Sequence, residues 1–182
     1  MTTGNPTPTK AITGGEFLIR DVSADEILTP EEWTEEHRMM LQTGLDFVAQ
    51  RIIPNLERIE ALEEGLTPKL LEEVGELGLL GSSVPAELDG LGLDFKSTML
   101  ITESMGGAHS FAVSFSAHTG IGTLPILYYG NDAQKKKYIP GLATGQLKGC
   151  YFLTEPGSGS DANSGKTSAK LNDAGTHYVL NG

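Results

Sequence analysis

Basic side chains are scarce in this chain of 182 residues: 13 Lys and Arg face 24 Asp and Glu, for a net charge of -11. Such a surface repels a phosphate backbone, which excludes a generic nucleic-acid binder. The acid is concentrated in residues 1–66, and a solvated helix face accounts for it. Cysteine is nearly missing. The lone Cys150 cannot close an internal disulfide, which fits a reducing, cytoplasmic setting. It lies in an apolar run with no Cys or His beside it, so it reads as a buried, inert thiol. No apolar stretch opens the chain. Met1 to Glu16 is rich in Thr, Gly and Pro, unlike a secretory signal, and it lacks the arginines of a mitochondrial transit peptide. The longest uncharged run, Ser104 to Asn131, is broken by Gly106, Gly107, Gly120, Gly122 and Pro125, so it reads as a buried helix and no membrane span is expected.

What is present is helical periodicity followed by a change of character. Residues 1–28 read as a loose arm. Thr29, Pro30 and Glu32 form a cap, first-turn proline and capping box. Behind them Trp33, His37, Met40, Leu41, Gly44, Leu45, Val48 and Ile52 share one face. Pro54 is expected to kink or end this helix, with Leu56 to Leu62 resuming. A second helix is expected from Thr67-Pro68 to about Gly78, with Leu70, Leu71, Val74 and Leu77 inward. Leu79 to Leu93 reads as loop. A third helix follows Asp94 as cap and runs to about Met105. A fourth spans Ser110 to Tyr129 with a break near Gly120 to Pro125. A fifth starts at Asn131, with Gln134 in capping-box position, and reaches about Thr144. Gly149 to Thr154 then reads as a strand, Glu155 to Gly165 as loop, and Lys166 to Leu171 and His177 to Leu180 as strands joined by a turn at 172–175. Three short strands at a chain end make a poor sheet by themselves, which points to a truncated second domain.

Two phosphate-binding patterns nearly match the glycine-rich loop. Gly157, Gly159 and Ala162 fit a relaxed G-x-G-x-x-A, but a dinucleotide site needs a helix next, and Asn163-Ser164-Gly165 follows. Gly165-Lys166-Thr167 resembles the end of a P-loop, but Ser160 stands where its first Gly belongs and again no helix follows. What remains is a strand running into a hydroxyl- and glycine-rich turn whose backbone can approach a ligand and whose N–H groups can face an anion. On residue chemistry alone a plain surface turn is the commoner outcome. His109 and His118 read as core or cap histidines, with no partners spaced for a metal. His37 reads as an ordinary helix residue. Trp33 and the Met39-Met40 pair read as core packing, and Asp161 as a turn-stabilising side chain.

The run from Tyr151 through Thr154-Glu155-Pro156-Gly157-Ser158-Gly159-Ser160-Asp161 to Ala162 resembles the flavin-loop signature of the acyl-CoA dehydrogenase family. Gly130-Asn131-Asp132 with Lys135-Lys136-Lys137-Tyr138, Val84-Pro85-Ala86-Glu87 with Gly90-Leu91-Gly92, and Tyr178-Val179-Leu180-Asn181-Gly182 resemble further family segments in the same order, over roughly residues 30–182. The resemblance implies a mainly α fold: a helical N-terminal domain at 29–146, after the arm at 1–28, then the first strands of a truncated β-barrel-like middle domain at 147–182. It implies an FAD-dependent oxidation of an acyl-CoA thioester, with electrons passed to an electron-transfer flavoprotein, in a homo-oligomer. By position, Tyr151, Phe152, Leu153 and Thr154 line the flavin ring. Gly159 and Ser160 lie near the pyrophosphate, and Ser160 also reaches substrate. Gly14 to Ile19 resembles long-chain members more than short-chain ones. The family's Trp-containing flavin motif and its base glutamate have no counterpart up to Gly182, and Glu155 is not that base. The 182 residues alone are therefore expected to be inactive. The alternative is a non-catalytic interaction module of the same descent.

Overall fold

The computed structural model describes residues 15–23 and 33–182. The helix start expected at Thr29, Pro30 and Glu32 lies outside the described residues. Glu16–Leu18 form a single 3-10 turn.

Seven α-helices and one hairpin are described. Helix α1, Glu35–Phe47, is capped by Thr34, whose hydroxyl accepts from the His37 N–H, while His37 Nδ1 accepts from the Thr34 N–H. The inward set is Gly44, Phe47 and Val48, spaced for one helix face. Leu45 falls off that face and is exposed, contrary to the pattern-based expectation, because Phe47 occupies the inward position. Met39 is likewise exposed, and only Met40 of the pair packs against the core. The helix widens into a π-turn at Val48–Ile52, then tightens into a 3-10 turn at Ile53–Asn55 that contains Pro54. Proline has no N–H to give and crowds the carbonyl one turn back, so the wider turn lets the chain pass it without breaking off. Helix α2, Leu56–Glu60, resumes as the sequence indicated.

Helix α3, Leu66–Glu76, begins one residue before the expected cap: Gly65, at φ 78°, takes the cap position and Pro68 sits within the first turn, where a missing N–H costs nothing. Leu70, Leu71, Val74 and Gly75 are buried. Leu77 is exposed because the helix has ended and the chain reverses through Gly78 at φ 77°. The stretch expected as loop holds two 3-10 turns, Leu79–Gly81 and Ala86–Leu88, and its Leu79, Leu80 and Val84 are core residues. Helix α4, Phe95–Ser104, packs along α1, so near at Gly44 that an added Cβ would lie 1.9 Å from Ser104 Oγ. Helices α5, Ser110–Ser116, and α6, Leu124–Tyr129, flank a second π-turn at Ala117–Gly122, the break read near Gly120. Helix α7, Asp132–Ala143, carries the Asn131/Gln134 capping box in full.

The main core joins Phe47, Ile52, Leu70, Val74, Ile101, Met105 and Phe111; a smaller one joins Val84, Leu127, Ile139, Leu142 and Ala143. Strands β1, Ser168–Leu171, and β2, Tyr178–Asn181, pair antiparallel with Ser168 opposite Asn181 and Leu171 opposite Tyr178. Asn172 Oδ1 accepts from the N–H groups of Thr176 and His177 to close the turn. The expected strand at Gly149 to Thr154 is extended but not a strand, because among the described residues no neighbouring strand bonds to it. For the same reason Cys150 is exposed and not buried.

His37 is more than an ordinary helix residue. It is buried, and its Nε2 lies 3.4 Å from both carboxylate oxygens of Asp94, the cap of α4. Since Nδ1 accepts from Thr34, Nε2 carries the proton and donates across to α4. The Ser97 N–H and hydroxyl, then His37, hold the Asp94 carboxyl below its ordinary range. A carboxyl lowered on folding stabilises above its unfolded value and loses that contribution as pH falls through the folded one. Asp94→Ala is expected to cost about 1 kcal/mol at pH 7 from the lost cap, and less at pH 3. Urea melts at the two pH values check this; an equal loss at both would contradict the role of charge.

Candidate functional site

The loop between the helical body and the hairpin is built by its own hydrogen bonds. Glu155 and Ser158 exchange backbone bonds, Glu155 N–H to Ser158 O at 3.1 Å and Ser158 N–H to Glu155 O at 3.0 Å. The Ser158 side chain turns inward, fully buried, and donates to the Asp161 carbonyl at 2.8 Å. The Glu155 carboxylate reaches across the loop and accepts from the N–H groups of Lys166, at 2.6 Å, and Thr167, at 2.9 Å. Those bonds, Lys166 first, hold its carboxyl below the ordinary range, so it is ionised near neutrality. Asp161 accepts from the Ser164 hydroxyl, consistent with a turn-stabilising part. Residues 155–167 therefore form a closed loop, with Glu155 as its clasp.

The six residues singled out in the sequence are all exposed, in two stretches on either side of Glu155 to Ser158. Tyr151, Phe152, Leu153 and Thr154 run extended, with Phe152 92% exposed. Among the described residues their backbone N–H groups have no hydrogen-bond partner. Gly159 and Ser160 lie exposed within the closed loop, and a Cβ added at Gly157 or Gly159 would meet open space. Unpaired backbone donors, an apolar and aromatic row and a glycine pair open to approach can take a flat ring system followed by a phosphate group. The residues present thus fit a flavin nucleotide.

Upstream, the segment is anchored to the helices. His118, buried in the second π-turn, accepts the Gly149 N–H on Nδ1 at 3.1 Å and lies 2.8 Å from the Leu142 carbonyl through Nε2. Gly149 and Gly122 meet face to face: a Cβ on Gly122 would sit 2.8 Å from Gly149 Cα. Burial pushes the His118 imidazole below its usual value; the Leu142 carbonyl opposes this and the Lys148 charge adds to it. His118 is thus a core histidine, one of the two roles, core or cap, expected of it. His109 stands at the cap position of α5 at φ 50° and makes no capping bond with its side chain.

Sequence reasoning missed a second feature. Helix α4 buries Ser97, Leu100, Ile101 and Ser104, yet its opposite side carries Phe95, 77% exposed, and Met99. They border a narrow cavity of about 220 Å³ that reaches Ile101, Phe115 and Leu124, and a broader groove of about 590 Å³ beside Trp33. The available signal was an i, i+4 apolar pair, Phe95 and Met99, on the face a surface helix normally gives to water. Trp33, expected as core packing, is half-buried, borders that groove and is not among the residues packed on the core.

The family model described as "Acyl-CoA dehydrogenase, N-terminal domain" matches residues 34–146. A probable acyl-CoA dehydrogenase of Bacillus subtilis is 53% identical over 169 residues, covering 93% of this chain and 28% of that protein. The short-chain specific acyl-CoA dehydrogenase of Rattus norvegicus is 37% identical over 153 residues, 83% of this chain and 36% of that protein. Among solved structures, an acyl-CoA dehydrogenase complexed with FAD from Bacillus anthracis superposes with a TM-score of 0.87 at 51% identity, covering 94% of this chain and 30% of that one. The chain spans about a third of the length of these relatives.

Proposed function

The chain belongs to the acyl-CoA dehydrogenase family, and from that premise we propose that the protein it forms is an FAD-dependent oxidoreductase acting on acyl-CoA thioesters. The observation that carries this reading is the exposed stretch Tyr151 to Thr154, leading into a loop closed by Glu155 that exposes Gly159 and Ser160, in a chain 51% identical to a protein solved with FAD. When bound, FAD supplies the acceptor for the hydride leaving the thioester's β-carbon. The chain's own residues bind and orient. Tyr151 to Thr154 offer backbone donors and the Thr154 hydroxyl along the ring. Gly159 and Ser160 approach the pyrophosphate, and Ser160 also meets substrate. The apolar cavity under Phe95 and Met99 takes the acyl chain and excludes water from it. Residues 147–182 are the opening of a β-domain, with 29–146 as the helical domain and 1–28 as the arm.

The electron acceptor in this reading is an electron-transfer flavoprotein, the assembly a homo-oligomer and the compartment the cytoplasm. Among the described residues no helix is long and apolar enough to cross a membrane. The arm's likeness to long-chain members makes long-chain thioesters the first substrates to try. The non-catalytic alternative receives no specific support from the site.

The test is a visible spectrum and FAD titration of the full-length protein, followed by anaerobic addition of acyl-CoA thioesters of graded length. A bound flavin that bleaches with one of them is the expected result. A colourless protein that does not take up FAD sinks the proposal. Ser160→Ala is expected to weaken FAD binding about tenfold, the loss of one or two hydrogen bonds to a charged group; unchanged titration curves would remove Ser160 from the site.

A further inference from the structure

Gly149 is the last residue held by the helical body before the exposed path begins, and what holds it is a histidine. We propose that His118 is a positioning residue for the flavin path: its neutral imidazole docks Gly149, and protonation releases the path and weakens FAD retention. This rests on the flavin reading above.

The geometry leaves one protonation state compatible with the fold. Nδ1 receives the Gly149 N–H and so has no proton, and Nε2 faces the Leu142 carbonyl and so has one. One ring thus joins the π-turn, the end of α7 and the start of the path. A second proton would go on Nδ1 and set two donors against each other. The ring cannot swing away to relieve this. His118 is 1% exposed, and its own carbonyl is held by the Thr123 hydroxyl at 2.7 Å. Gly149 cannot follow it either, because its Cα lies against Gly122. Release of the path is the remaining response.

The surroundings set the pH range. Among the described residues, the elements packed most on the π-turn are the 3-10 turn Leu79–Gly81 and α5, which have no titratable side chain, α6, whose Tyr128 and Tyr129 are exposed, and α7, whose Asp132, Lys135, Lys136, Lys137 and Tyr138 lie off its buried face of Ile139, Leu142 and Ala143. The charged group acting on the imidazole is Lys148, itself paired with Glu72. Burial and Lys148 both disfavour the imidazolium, so release begins below the ordinary histidine value of 6.5. The sign follows: the unfolded or released state binds the extra proton, so docking is complete above that value and is lost as pH falls.

The experiment has two readouts on the full-length protein between pH 7.5 and 4.5. One is FAD affinity; the other is the hydrogen-exchange protection factor of the Gly149 amide, with the Asn131-capped Gln134 amide as a control for general loosening. One pH unit below the midpoint, a docked fraction of about a tenth weakens FAD about tenfold. Gly149 protection falls in parallel while Gln134 stays protected. His118→Gln retains an acceptor and a donor but does not titrate, so it should bind FAD and flatten both profiles; His118→Asn is the second choice if Gln does not fold. A flat wild-type Gly149 profile overturns the proposal, as does a His118→Gln profile that still falls. If FAD fails to bind at any pH, the flavin reading fails, and the Gly149 profile still decides whether the histidine docks the path.

Discussion

Phe111→Ala is expected to remove about 3–5 kcal/mol of stability, the range for emptying a large aromatic site in a packed core. Phe111 is fully buried. Its ring meets Phe47 of α1 at 5.9 Å between centroids, tilted by 43°. Phe111 belongs to the same buried cluster as Ile59 of α2, Leu70 of α3, Ile101 of α4 and Ala108, and α5 packs against both α2 and α3. A gap at Phe111 would therefore open in a core that several helices share. The aromatic contact adds about 0.5–1.5 kcal/mol to the area term. Against a total of about 5–15 kcal/mol this is a large fraction. Phe111→Leu refills most of the volume and should recover more than half of the loss. Urea midpoints with an unchanged slope measure both. A loss under about 1 kcal/mol for alanine would mean the core collapses around the gap.

Gly75→Ala sets two effects of opposite sign against each other. On an exposed helix the change stabilises by about 1 kcal/mol, because alanine loses less backbone entropy. Here the new methyl would sit 2.3 Å from the Thr144 carbonyl oxygen and 2.6 Å from its carbon. Both are backbone atoms, so no side chain can swing aside. Gly145, at φ 76°, closes the contact from the other side, where its own added Cβ would lie 2.7 Å from the Leu71 carbonyl. Overpacking of this kind costs about 1–3 kcal/mol or more. The clash wins, and a net destabilisation of about 1–2 kcal/mol is expected by thermal melting. Because Thr144 and Gly145 lead directly to Gly149, the same substitution should loosen FAD binding as well. A stabilised variant with unchanged flavin affinity would show that α3 and the end of α7 separate without consequence.

Much of this architecture is visible in short-range chemistry. Asp94 and Asn131 cap helices where the sequence places them, because a cap is decided within four residues. Gly78 ends α3 for the same reason. The 172–175 turn and the two flanking strands are also local, and their edges shift by only a residue or two. What pattern reading loses is anything decided at a distance. His37 and Asp94 are 57 residues apart, and His118 and Gly149 are 31 apart. Glu155 reads as one letter of a loop signature, while its function as a clasp depends on where Lys166 and Thr167 return. The strand at Gly149 to Thr154 and the burial of Cys150 fail together. Both assume a neighbouring strand, and a β-run has no local bond that can make it a sheet. Leu45 lies in regular helix just before the π-turn at Val48–Ile52, off the face that Gly44, Phe47 and Val48 share.

That turn has a twin, and the pair bears on how related chains should be aligned. A π-turn holds one residue more than the α-turn it replaces. Removing that residue would restore regular helix and rotate everything after it by about 100°. At Ala117–Gly122 this rotation would carry His118 or Gly122 away from Gly149. A relative shorter by one residue between Ser116 and Leu124 must therefore hold its glycine-rich loop by other means. One of equal length inherits the phase of the helix, and with it the place where the chain leaves the helices.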